Sequence, residues 1–221
     1  MNTKKKNSFK KIKKMWYDSK HVQIKTPREG YNFIANEYGK YHNHLDSFDR
    51  WFFLRFLPRN LDNINIIDLW AWDWRIWKFF KDKPIEKYTA CDISEKLLKR
   101  HPWTNKIEKV ICDLEKKLPF EEEIYDVALS FFVLEHIENL ELLFQEVYKI
   151  LKPWWQRIIW HFLQRREFLR KKDKEIFKIQ LYNHRIQDIE KLAKNNNFIV
   201  DSFPIIEKNT TIWYIVSLKK D

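Results

Sequence analysis

The clearest local signal in the pattern of apolar and polar positions is a helix start. Thr26-Pro27-Arg28-Glu29 places a capping residue, a proline and a glutamate three residues after the cap, the makings of a capping box with proline at the first helical position. The helix that follows carries Tyr31, Ile34, Ala35 and Tyr38 on one face. A second helix is expected from about Asp46 to Leu57, ended by Pro58. From residue 64 the pattern alternates. Short apolar runs at Ile64 to Leu69, Lys87 to Asp92, Ile107 to Cys112, Tyr125 to Phe131 and Arg157 to Phe162 read as buried strands. Helical patterns separate them. Ile76, Phe79 and Phe80 follow the first strand, and Leu97 and Leu98 follow a Ser94 cap after the second. Leu140, Leu143, Phe144, Val147, Ile150 and Leu151 repeat at helical spacing after the fourth. A last helix from about Ile186 to Lys194 precedes strands near Phe198 to Phe203 and Ile212 to Leu218. Alternating strands and helices predict an α/β fold with a largely parallel sheet covered on both faces.

In such a sheet, ligands bind at the carboxyl ends of the strands. The first strand runs into Asp68-Leu69-Trp70-Ala71-Trp72-Asp73-Trp74. This is the spacing of a ligand-cradling turn, D-x-G-x-G-x-G, with Trp at each glycine position. A turn of that kind needs glycine because it visits positive φ and must come close to a ligand. Composition bears on the point. The chain has 2 Gly and 11 Trp, where average usage is roughly 7% Gly. Trp154-Trp155 follow Lys152-Pro153 between a helix and a strand, where a Pro-Gly-Gly turn belongs. The reading is that UGA codons meaning glycine have been translated as Trp. Trp51, within an aromatic run, is the one to keep as genuine.

Asp92 ends the second strand, 24 residues after Asp68, where an acid can accept from both hydroxyls of a ribose. Asp113 follows the third strand, where a carboxylate can accept from an adenine amino group. Phe131 to His136 close the fourth.

Length and charge narrow the picture further. The 221 residues suit one domain behind an N-terminal extension. Residues 1–22 read as a basic flexible tail, 23–60 as an N-terminal helical lid and 61–221 as the main domain. The net charge of +11 leaves a nucleic-acid partner open, but much of it sits in the tail, and a Lys-rich composition is the simpler account. Cys91 and Cys112 have no CxxC spacing, which argues against zinc and against a disulfide framework. A cytoplasmic location is expected. No apolar run approaches the ~20 residues of a membrane span.

The ordered set of motifs resembles the class I S-adenosylmethionine-dependent methyltransferases with a methyltransferase-11-like domain. The resemblance rests on the Asp68–Trp74 turn, Thr89-Ala-Cys-Asp92-Ile93-Ser94, Cys112-Asp113-Leu114 with Leu118-Pro119-Phe120, Tyr125 to Ser130, Val133-Leu134-Glu135-His136-Ile137 and Leu151 to Trp155. It implies a Rossmann-like, doubly wound sheet of seven mostly parallel strands with a C-terminal antiparallel pair. It also implies S-adenosyl-L-methionine as cofactor. Asp68, Trp70, Ala71, Trp72 and Trp74 would wrap the methionine moiety, Asp92 and Ile93 would hold ribose and adenine, Asp113 and Leu114 the adenine, and Phe131 would line the methyl-transfer site. Tyr31 and Tyr38 could close over the cofactor.

His136 and His161 are the candidate bases, because imidazole takes protons near neutral pH. Either could instead simply pack. Asp126 reads as a structural acid, His42 and His44 as solvated, and Asn183 as a helix cap. The absence of Asn-Pro-Pro-Tyr and Pro-Cys motifs favours a small-molecule acceptor, with RNA or protein as the alternative. A nicotinamide oxidoreductase fits the turn spacing less well. A non-catalytic nucleotide-binding module would follow if the tryptophans are genuine.

Overall fold

The computed structural model describes residues 22–39, 52–72, 74–162, 169–207 and 209–220. Residues 1–21 of the proposed tail, Trp51, His42 and His44 lie outside the described residues, as does the first half of the second expected helix. What is described there is a 3-10 turn, Phe52–Phe56.

Among the described residues, ten strands and five α-helices follow in order. They are β1 (Gln23–Lys25), α1 (Pro27–Tyr38), β2 (Asn65–Leu69), α2 (Trp77–Phe80), β3 (Lys87–Asp92), α3 (Glu95–Leu98), β4 (Ile107–Ile111), β5 (Tyr125–Phe131), α4 (Leu140–Ile150), β6 (Leu151–Phe162), β7 (Leu169–Lys172), β8 (Glu175–Ile179), α5 (Ile186–Asn195), β9 (Phe198–Glu207) and β10 (Thr210–Lys220). The main sheet has seven strands in the order β4-β3-β2-β5-β6-β10-β9. β4, β3, β2, β5 and β6 run parallel. β10 is antiparallel to both β6 and β9. This is the expected doubly wound sheet with its C-terminal antiparallel pair. The strand order reverses between β2 and β5, so the crevice opens where their carboxyl ends diverge.

The local signals translate directly. Thr26 caps α1 in a full capping box, and Gly30, Tyr31, Ile34, Ala35 and Tyr38 are its buried face. Ser94 accepts from the Leu97 backbone N–H at the start of α3. Every residue of β5 is buried, as a central parallel strand requires. Asp126 is a structural acid: it accepts from the Asn65 backbone N–H at 2.8 Å and pairs with Lys152 at 2.8 Å.

Several expectations are corrected. α5 is capped by Arg185 without a side-chain bond, so Asn183 is not its cap. β6 begins at Leu151, and its register against β5 jumps from Leu151 to Gln156. The Lys152–Trp155 segment is therefore an excursion within a strand. Cys91 and Cys112 meet across the ends of β3 and β4, with Cα atoms 5.8 Å apart, and are joined as a disulfide. The adjacency of those two strands brings together residues 21 apart in sequence. A second sheet, β1-β8-β7, is new to the structure. It packs beside α1, where a Cβ on Gly30 would meet Ile179 Cγ1 at 2.5 Å.

Candidate functional site

The turn after β2 is tied to the neighbouring strand by its backbone. The N–H groups of Trp70 and Ala71 donate to the Cys91 carbonyl at 2.7 and 3.0 Å. The Trp72 N–H donates to Asp92 Oδ2 at 2.9 Å, and the Ser94 N–H donates to Oδ1 at 2.8 Å. Asp92, 1% exposed, thus joins the turn to the start of α3. Asn32 of α1 bonds Ser94 Oγ at 2.8 Å and fixes the helix over this edge.

A cavity of about 260 Å³ lies at these strand ends. Trp70, Ile93, Asp113, Leu114, His136 and Gln180 are among the residues that line it. Ile93 and Leu114 offer apolar walls and Asp113 an acceptor, which suits a purine. The volume is slightly below the ~300–1,000 Å³ of ordinary small-molecule sites. Two indoles crowd the space beside it. The Trp70 ring stacks on His136 with centroids 5.3 Å apart and meets Tyr31 edge-on at 5.5 Å. Trp72 packs between Tyr38, at 5.2 Å, and Phe132, at 5.9 Å.

His136 closes the far side. Its Nδ1–H donates to the Gln180 carbonyl at 3.1 Å, so in the neutral ring Nε2 is the acceptor and takes the Tyr31 hydroxyl proton bond at 2.8 Å. The Arg170 guanidinium of β7 lies near enough to Tyr31 to act on its hydroxyl electrostatically. Burial lowers the His136 pKa to about 4. The imidazole is therefore a neutral acceptor held by Tyr31, rather than the freely titrating base expected from sequence. Glu135 beside it is pushed up to about 7 by burial.

Other candidates sit elsewhere. Asp68 lies under the turn and accepts from the Tyr88 hydroxyl at 2.5 Å. Burial raises its pKa to about 7, against the lowering effects of that bond and of Arg75. Phe131 is buried against Phe53 at 4.9 Å and does not line the cavity. Trp74 is half-buried, with the Lys78 ammonium 4.5 Å from its ring. His161 stands on β6 in register with Tyr214, and its side chain lies outside the described residues. Among the described residues no cluster suits a metal ion, and no helix is long and apolar enough to cross a membrane.

Sequence reasoning missed the roles of Gln180 and Arg170. Arg170 lies on β7 and Gln180 directly follows β8, strands that have no periodic signal.

The comparisons agree with this geometry. Residues 75–154 match the family model described as a methyltransferase domain. The fold is similar to an S-adenosylmethionine-dependent methyltransferase from Mesorhizobium loti, with a TM-score of 0.65 and 16% identity, covering 77% of this chain and 97% of that one. It is also similar to phosphoethanolamine N-methyltransferase 2 of Haemonchus contortus, solved with S-adenosyl-L-methionine, with a TM-score of 0.61 and 15% identity, covering 75% of this chain and 50% of that one. In sequence, 70 residues are 30% identical to the sterol 4-C-methyltransferase strm-1 of Caenorhabditis elegans. That match covers 32% of this chain and about a fifth (21%) of the relative's length. Residues 75–154 are thus similar to a methyltransferase domain, and the fold is similar to that of solved S-adenosylmethionine-dependent methyltransferases.

Proposed function

We propose that this protein moves a methyl group from S-adenosylmethionine to a small-molecule acceptor. The observation that carries the reading is one cavity, at the carboxyl ends of the parallel strands, that gathers Ile93, Asp113, Leu114, residue 70 of the turn and His136. Ile93 and Leu114 would flank the adenine, Asp113 would accept from its amino group, and Asp92 would accept from the ribose hydroxyls. The bound cofactor would supply a sulfonium methyl, an already activated donor, so alignment carries much of the rate. Residues 23–60 would act as a lid and 61–221 as the catalytic domain. The relative matched in sequence is named for a sterol, a small-molecule acceptor, which supports that class here.

Tyr31 and His136 would orient the acceptor. The Tyr31 hydroxyl, bonded to His136 Nε2 at 2.8 Å behind the Trp70 ring, would accept from the proton-bearing nucleophile once residue 70 is small. As the nucleophile–methyl bond forms and the sulfur–methyl bond breaks, the nucleophile's proton would pass to the Tyr31 oxygen while the Tyr31 proton passes to His136 Nε2. His161 remains a second candidate base. The test is calorimetric titration of a Trp70→Gly/Trp72→Gly/Trp74→Gly chain with S-adenosylhomocysteine and, separately, NADH. Micromolar binding of the first alone is expected. Binding of NADH alone would replace this reading with an oxidoreductase.

A further inference from the structure

We infer that Cys91 and Cys112 form a reversible thiol–disulfide site that latches the strand ends around the cavity, and that the disulfide is the form that binds ligand more tightly. The latch rests on where the two cysteines stand; the identity of the ligand rests on the proposed function.

These are the chain's only 2 cysteines. They come from the ends of adjacent parallel strands, and their Cα separation of 5.8 Å is within the usual span for disulfides. The register sets Cys91 against Val110. Cys112 therefore reaches Cys91 from just past the end of β4, where its N–H donates to the Asp92 carbonyl at 3.1 Å. Each cysteine directly precedes an acid that the proposed function assigns to the ligand, Asp92 and Asp113. Cys91 also holds the turn after β2, because its carbonyl accepts the Trp70 and Ala71 N–H groups. On the other side, Asp113 and Leu114 line the cavity. One covalent bond ties the turn, the end of β3 and the segment after β4 into a single junction.

Reduction loosens this junction. Bonded sulfurs lie about 2.0 Å apart, whereas non-bonded heavy atoms settle at roughly 3.5–4.0 Å. Both cysteines are buried, Cys91 fully and Cys112 at 4% exposure, and a close-packed interior offers little slack. The strand ends must separate, and β4 is the one that yields. It is an edge strand, paired with β3 alone among the described residues. The same edge is the route of entry, since local opening past the end of β4 bares Cys112 Sγ before Cys91 on its inner strand. An external thiolate attacks Cys112 Sγ, the S–S bond breaks, and Cys91 leaves as a thiolate that takes up a proton. A second external thiolate attacks the outer sulfur of the mixed disulfide, which frees the Cys112 thiol and releases a small disulfide. Two electrons and two protons pass from the external thiols to the chain. Oxidation is the reverse exchange, with oxidised glutathione as the electron acceptor. Ligand and disulfide act on one junction, so each favours the other by a shared factor.

Native-state hydrogen exchange of the chain, equilibrated with oxidised or reduced glutathione, tests the latch without ligand. Thiols titrated after denaturation should pass from absent to both cysteines as the glutathione ratio changes. On reduction, the Trp70, Ala71 and Cys112 amides should lose protection by at least about tenfold, while those of β5 at the sheet centre keep theirs. Unchanged protection overturns the inference, and so do thiols that stay free, or stay bonded, at every ratio. A Cys91→Ala/Cys112→Ala chain should show no response to glutathione, and a response there overturns the assignment to this pair. In the Trp70→Gly/Trp72→Gly/Trp74→Gly chain, S-adenosylhomocysteine should bind the oxidised form about tenfold more tightly and shift the glutathione midpoint toward the disulfide by the same factor. Equal affinities overturn the coupling. Binding to neither form counts against the proposed function, and the exchange data still decide the latch.

Discussion

Asp92→Asn is the most informative single change at the site. Both carboxylate oxygens accept from backbone N–H groups, Trp72 at 2.9 Å and Ser94 at 2.8 Å, in a residue 1% exposed. An asparagine of the same shape has one oxygen. Whichever way it turns, its amide N–H₂ faces a backbone N–H at hydrogen-bond distance. One charge-assisted bond is lost, worth about 1.5–3 kcal/mol, and a buried donor is left unsatisfied, costing about 1–3 kcal/mol. These overlap, so the expected loss is about 3 kcal/mol. At roughly 2–4 °C per kcal/mol for a chain of this size, the midpoint should fall by roughly 6–12 °C. Asp113→Asn is the comparison. Asp113 sits at the next strand end but is partly exposed, accepts from the Glu115 N–H at 3.2 Å and pairs with Lys116 at 3.4 Å. Its loss should cost less than about 1 kcal/mol. Thermal and urea unfolding of both variants measure the difference. Equal midpoints would refute the view that Asp92 anchors the turn, and would leave its burial unexplained.

Further predictions concern pH and the Tyr31–His136 pair. Glu135 titrates near 7 in the folded chain and near 4.5 when unfolded. The folded state therefore binds more protons between those values, and stability falls as pH rises through the window. Glu135→Gln should remove that decline in a plot of midpoint against pH; curves that stay parallel would contradict the burial argument. His136 acts in the opposite sense, because its folded pKa is near 4 against an ordinary 6.5. Its contribution rises with pH between about 4 and 6.5, and His136→Ala should lose that rise. Tyr31→Phe leaves His136 Nε2 without its donor. Turnover with an acceptor should fall by at least ~10²-fold if the pair handles the proton, with S-adenosylhomocysteine affinity kept. Near-full turnover would make alignment alone sufficient.

The parts legible in sequence were those with local causes. The capping box at Thr26 and the Tyr31–Tyr38 face determine α1 without reference to the rest of the chain. The uniformly apolar run of β5 announces a central strand. The acids at the ends of β2, β3 and β4 could be placed once the alternation was counted. What escaped depends on distant partners. β1, β7 and β8 are three to five residues long and rich in charge, so no period distinguishes them from loop. Without β8, the Gln180 carbonyl that sets the His136 tautomer was invisible. The pairing of Cys91 with Cys112 needed the adjacency of β3 and β4. Asp68 looked like a ligand residue, but its neighbour is Tyr88 across the sheet. His136 was read at its ordinary pKa, which burial lowers, and its bond to a tyrosine 105 residues away was not legible.

The most direct measurement of the central claim is a crystal structure of the Trp70→Gly/Trp72→Gly/Trp74→Gly chain grown with S-adenosylhomocysteine. The account predicts adenine between Ile93 and Leu114, ribose hydroxyls on Asp92, and the thioether sulfur in the volume vacated by the Trp70 indole, against His136. A folded chain with these strand ends empty at saturating ligand, or with the ligand bound elsewhere, would contradict it.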